Sequence, residues 1–340
     1  MIYDVRQTTT CSYATPVAHA RHVLRLTPVP RDGQRVHVAA LQIVPEPVHR
    51  REGQDFFGNR LTWIEIDEPH QTLTVKLAAR VAVDPPPYPR PLAGEGTGHP
   101  ATLASRGPRE GAAPLGTPAW EAVREEAFAT SDIGPLSPAH FLFPSRMVSL
   151  DPEIRDYVRQ SFSPGRAILD AAIELIGRMK SDIVYEIGAT TVTTTPPMSF
   201  ALRRGVCQDF AHIMISGLRG IGLPAAYVSG YLRTVPRADA TRLQGADAMH
   251  AWVLLWCGPL PSSPACGGGR EGAPRDACVA GTPGGGWIGF DPTNAVLAFE
   301  QHVMLAIGRD YTDVAPMDGV ILGSGGQRID VSVNVTPAGA

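Results

Sequence analysis

Apolar and polar residues alternate through much of the first 84 positions. The runs 23–26, 36–44, 61–66 and 73–83 are rich in β-branched residues. Several of them place apolar side chains at every second position, the signature of a strand with one buried face. Pro- and Gly-containing turns at 28–33 and 45–53 and the Gly58-Asn59 pair separate them. Short strands at near-regular spacing predict a small antiparallel β-sandwich or barrel over residues 1–84.

The pattern stops at 85–118, a Pro/Gly/Ala-rich stretch without periodicity that reads as a linker or insertion. Helical spacing then appears at 120–128, at 151–161 with Pro152 at its first turn, and at 167–180, where Ile168, Ala171, Ala172, Leu175, Ile176 and Met179 share a face. A helical region is predicted over 198–222 and strands over 225–232 and 248–256. A second Gly/Pro/Ser-rich tract runs from 258 to 286, and short strands near 319–322 and 329–335 close the chain. The expected class is α+β, with a second domain over 119–340 that carries the 258–286 insertion.

Composition narrows the function. The 340 residues carry a formal net charge of -3 with no long run of Lys or Arg, so neither nucleic acid nor an anionic membrane is an expected partner. No signal-peptide pattern and no apolar stretch of spanning length is evident, which makes the cytoplasm the expected location. Five cysteines, irregularly spaced, argue against a disulfide framework and against a zinc site, and no cofactor is expected.

Three segments carry candidate chemistry. In Arg204-Gly205-Val206-Cys207-Gln208-Asp209, Gly205 ends a loop and an apolar helix follows, so Cys207 falls at a helix start. Free N–H groups and the helix dipole stabilise an anion there, which suits a thiolate nucleophile and the oxyanion it would generate. The plainer reading is a small buried core cysteine. In Asp247-Ala248-Met249-His250-Ala251-Trp252, His250 opens an apolar strand, either as a structural histidine or as the base a thiol requires. In Gly289-Phe290-Asp291-Pro292, Asp291 closes a strand, either as a turn cap or as the carboxylate that orients a histidine ring. If the strands through His250 and Asp291 are antiparallel neighbours joined by the 258–286 tract, both residues lie at the same end of the pair. The insertion then sits roughly 15–20 Å away at the other end, at about 3.3 Å per residue.

These motifs, in this order, resemble the bacterial transglutaminase-like superfamily. The quoted segments around Cys207, His250 and Asp291 carry the likeness. So do Gly222-Leu223-Pro224, Gly308-Arg309-Asp310-Tyr311 and, in the β-rich half, Arg25-Leu26 and Asp55-Phe56-Phe57-Gly58-Asn59. The resemblance implies a papain-like core with Cys207 as nucleophile, His250 as base and Asp291 as orienter. It also implies cleavage or transfer at a peptide or protein amide through a thioester. Asp209 is assigned to fixing the helix start and His212 to packing. Tyr231 and Trp252 flank the site, either lining the acyl pocket or serving as core aromatics, and Arg309-Asp310-Tyr311 reads as a structural cluster. Two rivals stand beside this reading: a catalytically silent peptide-binding module, and an arylamine-type N-acyltransferase, which calls for a basic nucleotide patch that the sequence lacks.

Overall fold

The computed structural model describes residues 1–84, 117–234, 248–258 and 286–339. The linker reading of 85–118 falls almost entirely outside these residues, as does the interior of the 258–286 tract.

The N-terminal half builds a sandwich of two four-stranded antiparallel sheets. Strands β1 (Ile2–Val17), β2 (His19–Leu24), β3 (Gln34–Val44), β4 (His49–Gln54), β5 (Arg60–Ile66) and β6 (His70–Val83) follow one another along the chain. One sheet has the order β15-β1-β6-β3 and the other β14-β2-β5-β4, where β14 is Met317–Leu322 and β15 is Gln327–Pro337. Alternate residues of β1, β5, β6 and β15 fill the space between them, including Tyr3, Val5, Ile64, Ile66, Leu73, Val75, Val333 and Val335. The last two strands pair with β1 and β2. The sequence reading placed them in the second domain and requires correction: the chain leaves the sandwich, builds the second unit and returns to complete both sheets.

The second unit surrounds a five-stranded sheet of order β12-β11-β10-β9-β13, with β9 Ala225–Leu232, β10 Met249–Trp256, β11 Trp287–Asp291, β12 Val296–Leu297 and β13 His302–Gly308. A two-stranded parallel pair, β7 (Val184–Tyr185) with β8 (Arg204–Gly205), lies before it in the chain. The helices are α1 (Trp120–Ala129), α2 (Pro152–Arg159), α3 (Ile168–Asp182), α4 (Pro196–Leu202), α5 (Cys207–Gly220) and α6 (Tyr311–Val314). The region predicted as helical over 198–222 is two helices. The chain breaks at Arg203, whose φ of 53° no helix continues, and resumes at Cys207. From Asp209 to Arg219 every residue of α5 is buried, and the helix packs on α2, β9 and β10. None of the described helices is long and apolar enough to cross a membrane.

Strand β13 is an edge of its sheet, and the sandwich covers that edge. The Gln34 carboxamide donates to the Met304 carbonyl and accepts from its N–H, both at 2.8 Å. The Asn59 carboxamide does the same at Ile307, at 2.7 and 2.8 Å. Two side-chain amides thus substitute for a neighbouring strand and satisfy backbone groups that would otherwise be left unpaired.

Candidate active site

Cys207 is the first residue of α5 and is partly exposed. The helix start is fixed by Asp209, whose Oδ2 accepts the Val206 N–H at 2.8 Å and the Thr190 hydroxyl at 2.6 Å. Burial raises the Asp209 pKa, partly offset by these donors. Gly205 makes room for this carboxylate: a Cβ there would lie 2.5 Å from Asp209 Oδ2, closer than any side chain tolerates. The Gln208 side chain donates to the Val192 carbonyl at 3.0 Å and ties the Thr-rich loop to the same helix start. The N–H groups of Cys207 and Gln208, in the first turn, have no partner within the helix.

The strand pairing expected from sequence is present. β10 and β11 are antiparallel, with Val253 opposite Phe290 and Trp256 opposite Trp287. At the far end of the pair the Cys257 N–H donates to the Gly286 carbonyl at 2.7 Å, which closes the stem of the tract. His250 and Asp291 meet at the near end, with Nε2 and Oδ2 2.9 Å apart and both side chains fully buried. Asp291 does what both of its sequence readings required. Its Oδ1 caps the turn by accepting the Thr293 and Asn294 N–H groups at 3.0 and 3.2 Å, while Oδ2 accepts from the Asn294 side chain at 2.8 Å and faces the imidazole.

A carboxylate can only accept, so His250 Nε2 carries the proton and Nδ1 is the ring's free acceptor. That Nδ1 is buried and has no hydrogen-bond partner among the described residues, while the Cys207 thiol lies near enough to influence the ring. Burial alone would lower the His250 pKa. The charge and hydrogen bond of Asp291, reinforced by Cys207, outweigh it and raise the pKa. Burial likewise opposes ionisation of Asp291, but the His250 charge and hydrogen bond, with His302 adding, hold its pKa far below the usual carboxylate range.

His302, the first residue of β13, was not singled out in the sequence. Its Nε2 lies 3.2 Å from the same Asp291 Oδ2. One ring nitrogen from each of His250 and His302 and one Asp291 carboxylate oxygen all fall within 4.8 Å of one another. Two imidazoles and a carboxylate are ligand types that suit zinc, but here N–H groups of the protein already occupy both Asp291 oxygens. Tyr185 on β7 is a second neighbour that the motifs did not reveal. It is half-buried and packs in the core beside Cys207, and the charges of Cys207 and Asp291 both act on its hydroxyl.

The remaining expectations divide. Trp252 is 2% exposed and stacks on His250 at 6.3 Å between centroids, with its edge on His302 at 5.1 Å. It backs the histidines and does not line an open pocket. Gly230, opposite His250, leaves space for this ring: a Cβ there would sit 2.4 Å from it. The acyl-pocket role for Tyr231 requires correction. Tyr231 pairs with Met249, on the opposite face of the sheet from His250. It is fully buried against the sandwich core, where its hydroxyl bonds the Gln7 side chain. His212 is buried, and its Nε2 accepts the Tyr311 N–H at 3.2 Å. Burial drives its pKa down to about 4. Arg309 pairs with Asp313, and Asp310 caps α6 while accepting the Met147 N–H at 2.8 Å, as expected of a structural cluster. An open groove of about 1130 Å³ between the sandwich and the segment 132–137, lined by Arg31, Phe56, Phe57 and Leu136 among others, shares no residue with this constellation.

Comparison with known proteins agrees with this architecture. Residues 3–82 match the model of the bacterial transglutaminase-like N-terminal region, and residues 155–292 match that of the transglutaminase-like superfamily. Uncharacterized proteins of Mycobacterium tuberculosis and Mycobacterium bovis are each 34% identical over 336 residues, covering 98% of this chain and 92% of theirs. A solved structure of a candidate cysteine protease from Cytophaga hutchinsonii superposes with a TM-score of 0.67 at 18% identity, over 100% of this chain and 91% of that one, a likeness of fold. The chain belongs to the transglutaminase-like superfamily, in the group that carries the bacterial N-terminal region.

Proposed function

We propose that the protein is a cysteine-dependent amide hydrolase or acyl transferase with Cys207 as nucleophile, His250 as base and acid, and Asp291 as the residue that orients and charges His250. The observation that carries this reading is the buried His250–Asp291 pair, 2.9 Å between Nε2 and Oδ2, with the partly exposed Cys207 at a helix start near enough to influence the His250 ring. The raised His250 pKa favours proton transfer from the thiol to Nδ1, since Asp291 stabilises the imidazolium that results. The thiolate attacks the amide carbon, and the N–H groups at the start of α5 receive the oxyanion. His250 then gives its proton to the departing amine, and the C–N bond breaks to leave a thioester. Water or a second amine, deprotonated by His250, releases the acyl group and restores the thiol.

Alkylation tests the reading. Iodoacetamide near neutral pH labels Cys207 at least about tenfold faster than Cys11 and Cys257, and His250→Ala removes most of that advantage. Peptide amides incubated with and without a primary amine, followed by mass spectrometry, then separate hydrolysis from transfer. Equal labelling of all cysteines in the folded protein, with no thioester trapped at Cys207, would leave a silent binding module as the better description.

A further inference from the structure

Asp291 faces two imidazoles. His250 comes from β10 and His302 from β13, an edge strand two places away in the sheet, and both Nε2 atoms converge on one oxygen at 2.9 and 3.2 Å. Because a carboxylate cannot donate, His302 must carry its proton on Nε2. Its Nδ1 is buried and has no hydrogen-bond partner among the described residues, so nothing there rewards a second proton. Burial lowers the His302 pKa against the pull of Asp291, which also favours the neutral ring. Trp252 lies edge-on to it. The strand that delivers His302 is clamped at Met304 and Ile307 by the Gln34 and Asn59 carboxamides.

We propose that His302 is a positioning residue for the triad: a neutral imidazole that donates to Asp291 and thereby limits how strongly this carboxylate holds the proton on His250. The inference rests on the triad reading above. Five N–H donors share the two oxygens of Asp291, so each one diminishes what the carboxylate offers the others. With His302 in place, the His250 imidazolium is stable enough to form yet releases its proton to the leaving amine. Without it, Asp291 grips that proton harder. The other charged or titratable groups facing this network are Cys207 from α5, Lys180 from α3 and Tyr185 from β7.

The test reads the titration of His250 in the full chain, by histidine ¹⁵N NMR and by the alkaline transition of Cys207 alkylation with iodoacetamide. In the unaltered protein, His302 is expected as the Nε2–H neutral ring from pH 6 to 9. His302→Phe moves the His250 transition upward by about half a unit to one unit. His302→Gln, which restores an N–H donor, returns it most of the way. A merely structural role would lower stability and leave this transition where it was. An unshifted transition in both variants, or an Nδ1–H tautomer for His302, overturns the proposal. If His302→Phe does not fold, the tautomer and the Gln variant still decide. Failure of the triad reading looks different: Cys207 would then be alkylated no faster than Cys257 in the unaltered protein.

Discussion

The two cores of this molecule solve the burial of polar groups in opposite ways. The sandwich core is built mainly from apolar residues, with Gln7, Thr9, His22 and Thr62 among its buried polar groups, and two of its buried amides, Gln34 and Asn59, are spent on the edge of the neighbouring sheet. The core around α5 encloses Asp209, His212, Arg219, His250, Asp291, His302 and Asp310, each deeply buried. A buried ionisable group is tolerated only when it is hydrogen-bonded or paired, and each of these side chains has at least one partner, although the Nδ1 atoms of His250 and His302 have none among the described residues. Arg219, for instance, donates to the carbonyls of Phe143, Ala225 and Arg309 and to the Ser145 hydroxyl. The contrast teaches that the sandwich is held by area and the second unit by a polar network whose geometry is also its chemistry.

The sharpest break of that contrast removes the network's hub. Asp291→Ala leaves two imidazoles, an amide and two backbone N–H groups without their acceptor inside a closed core. We expect a loss of about 3–5 kcal/mol in denaturant unfolding, together with loss of rapid Cys207 labelling. Cys207→Ala, at the partly exposed tip of the same network, costs less than about 1 kcal/mol of stability, while turnover falls by about 10⁴-fold. If the two variants proved equally stable, Asp291 would not be the centre of the core.

Next in size is the seam between the cores. Asn59→Ala strips the Ile307 N–H and carbonyl of their partner at a site with no solvent access. It also removes the acceptor for Arg31 and the donor to Asp55. A loss of about 2–4 kcal/mol follows from the unsatisfied backbone pair alone. If the sandwich anchors β13, a single cooperative transition should divide into two as the units uncouple, and urea unfolding followed separately by near-UV and far-UV circular dichroism detects this.

Sequence made one of these cores legible by pattern and the other by motif. Strands β3, β5 and β6 show in their alternation because their buried faces are apolar. Strand β1 does not, because its inward set, Tyr3, Val5, Gln7, Thr9, Cys11 and Tyr13, includes two polar residues that blur the period. In the second unit, β9, β10 and β11 are buried on both faces, so periodicity carries no orientation there. Cys207, His250 and Asp291 stood out through helix-start and strand-end chemistry and through the resemblance of their motifs, taken in order. His302 opens the apolar run of β13 as His250 opens that of β10, the same local signal. It escaped notice because its partner is a carboxylate 11 residues earlier, and only the sheet order brings them together. The misplaced C-terminal strands have a similar cause, since pairing across more than 300 residues leaves no trace in local composition.

The mildest test uses pH within the polar core. His212 accepts a backbone N–H through Nε2 and must stay neutral to do so. Its folded pKa is lowered to about 4 from an ordinary value near 6.5, and burial is the largest cause. Between those values the unfolded chain binds a proton that the folded ring refuses, so stability falls as pH drops from 6.5 toward 4 and is recovered above it. His250 works in the other direction: its raised pKa contributes stability that is present at low pH and lost as pH rises through the folded value. His212→Gln keeps an acceptor for the Tyr311 N–H and removes the titration. The variant should therefore retain about 1–3 kcal/mol more of its pH 7 stability at pH 4.5 than the parent does, read as a flatter slope of melting temperature against pH. A slope identical to the parent's would mean that His212 stays neutral for no energetic reason, and that the core around α5 admits charge as readily as water does.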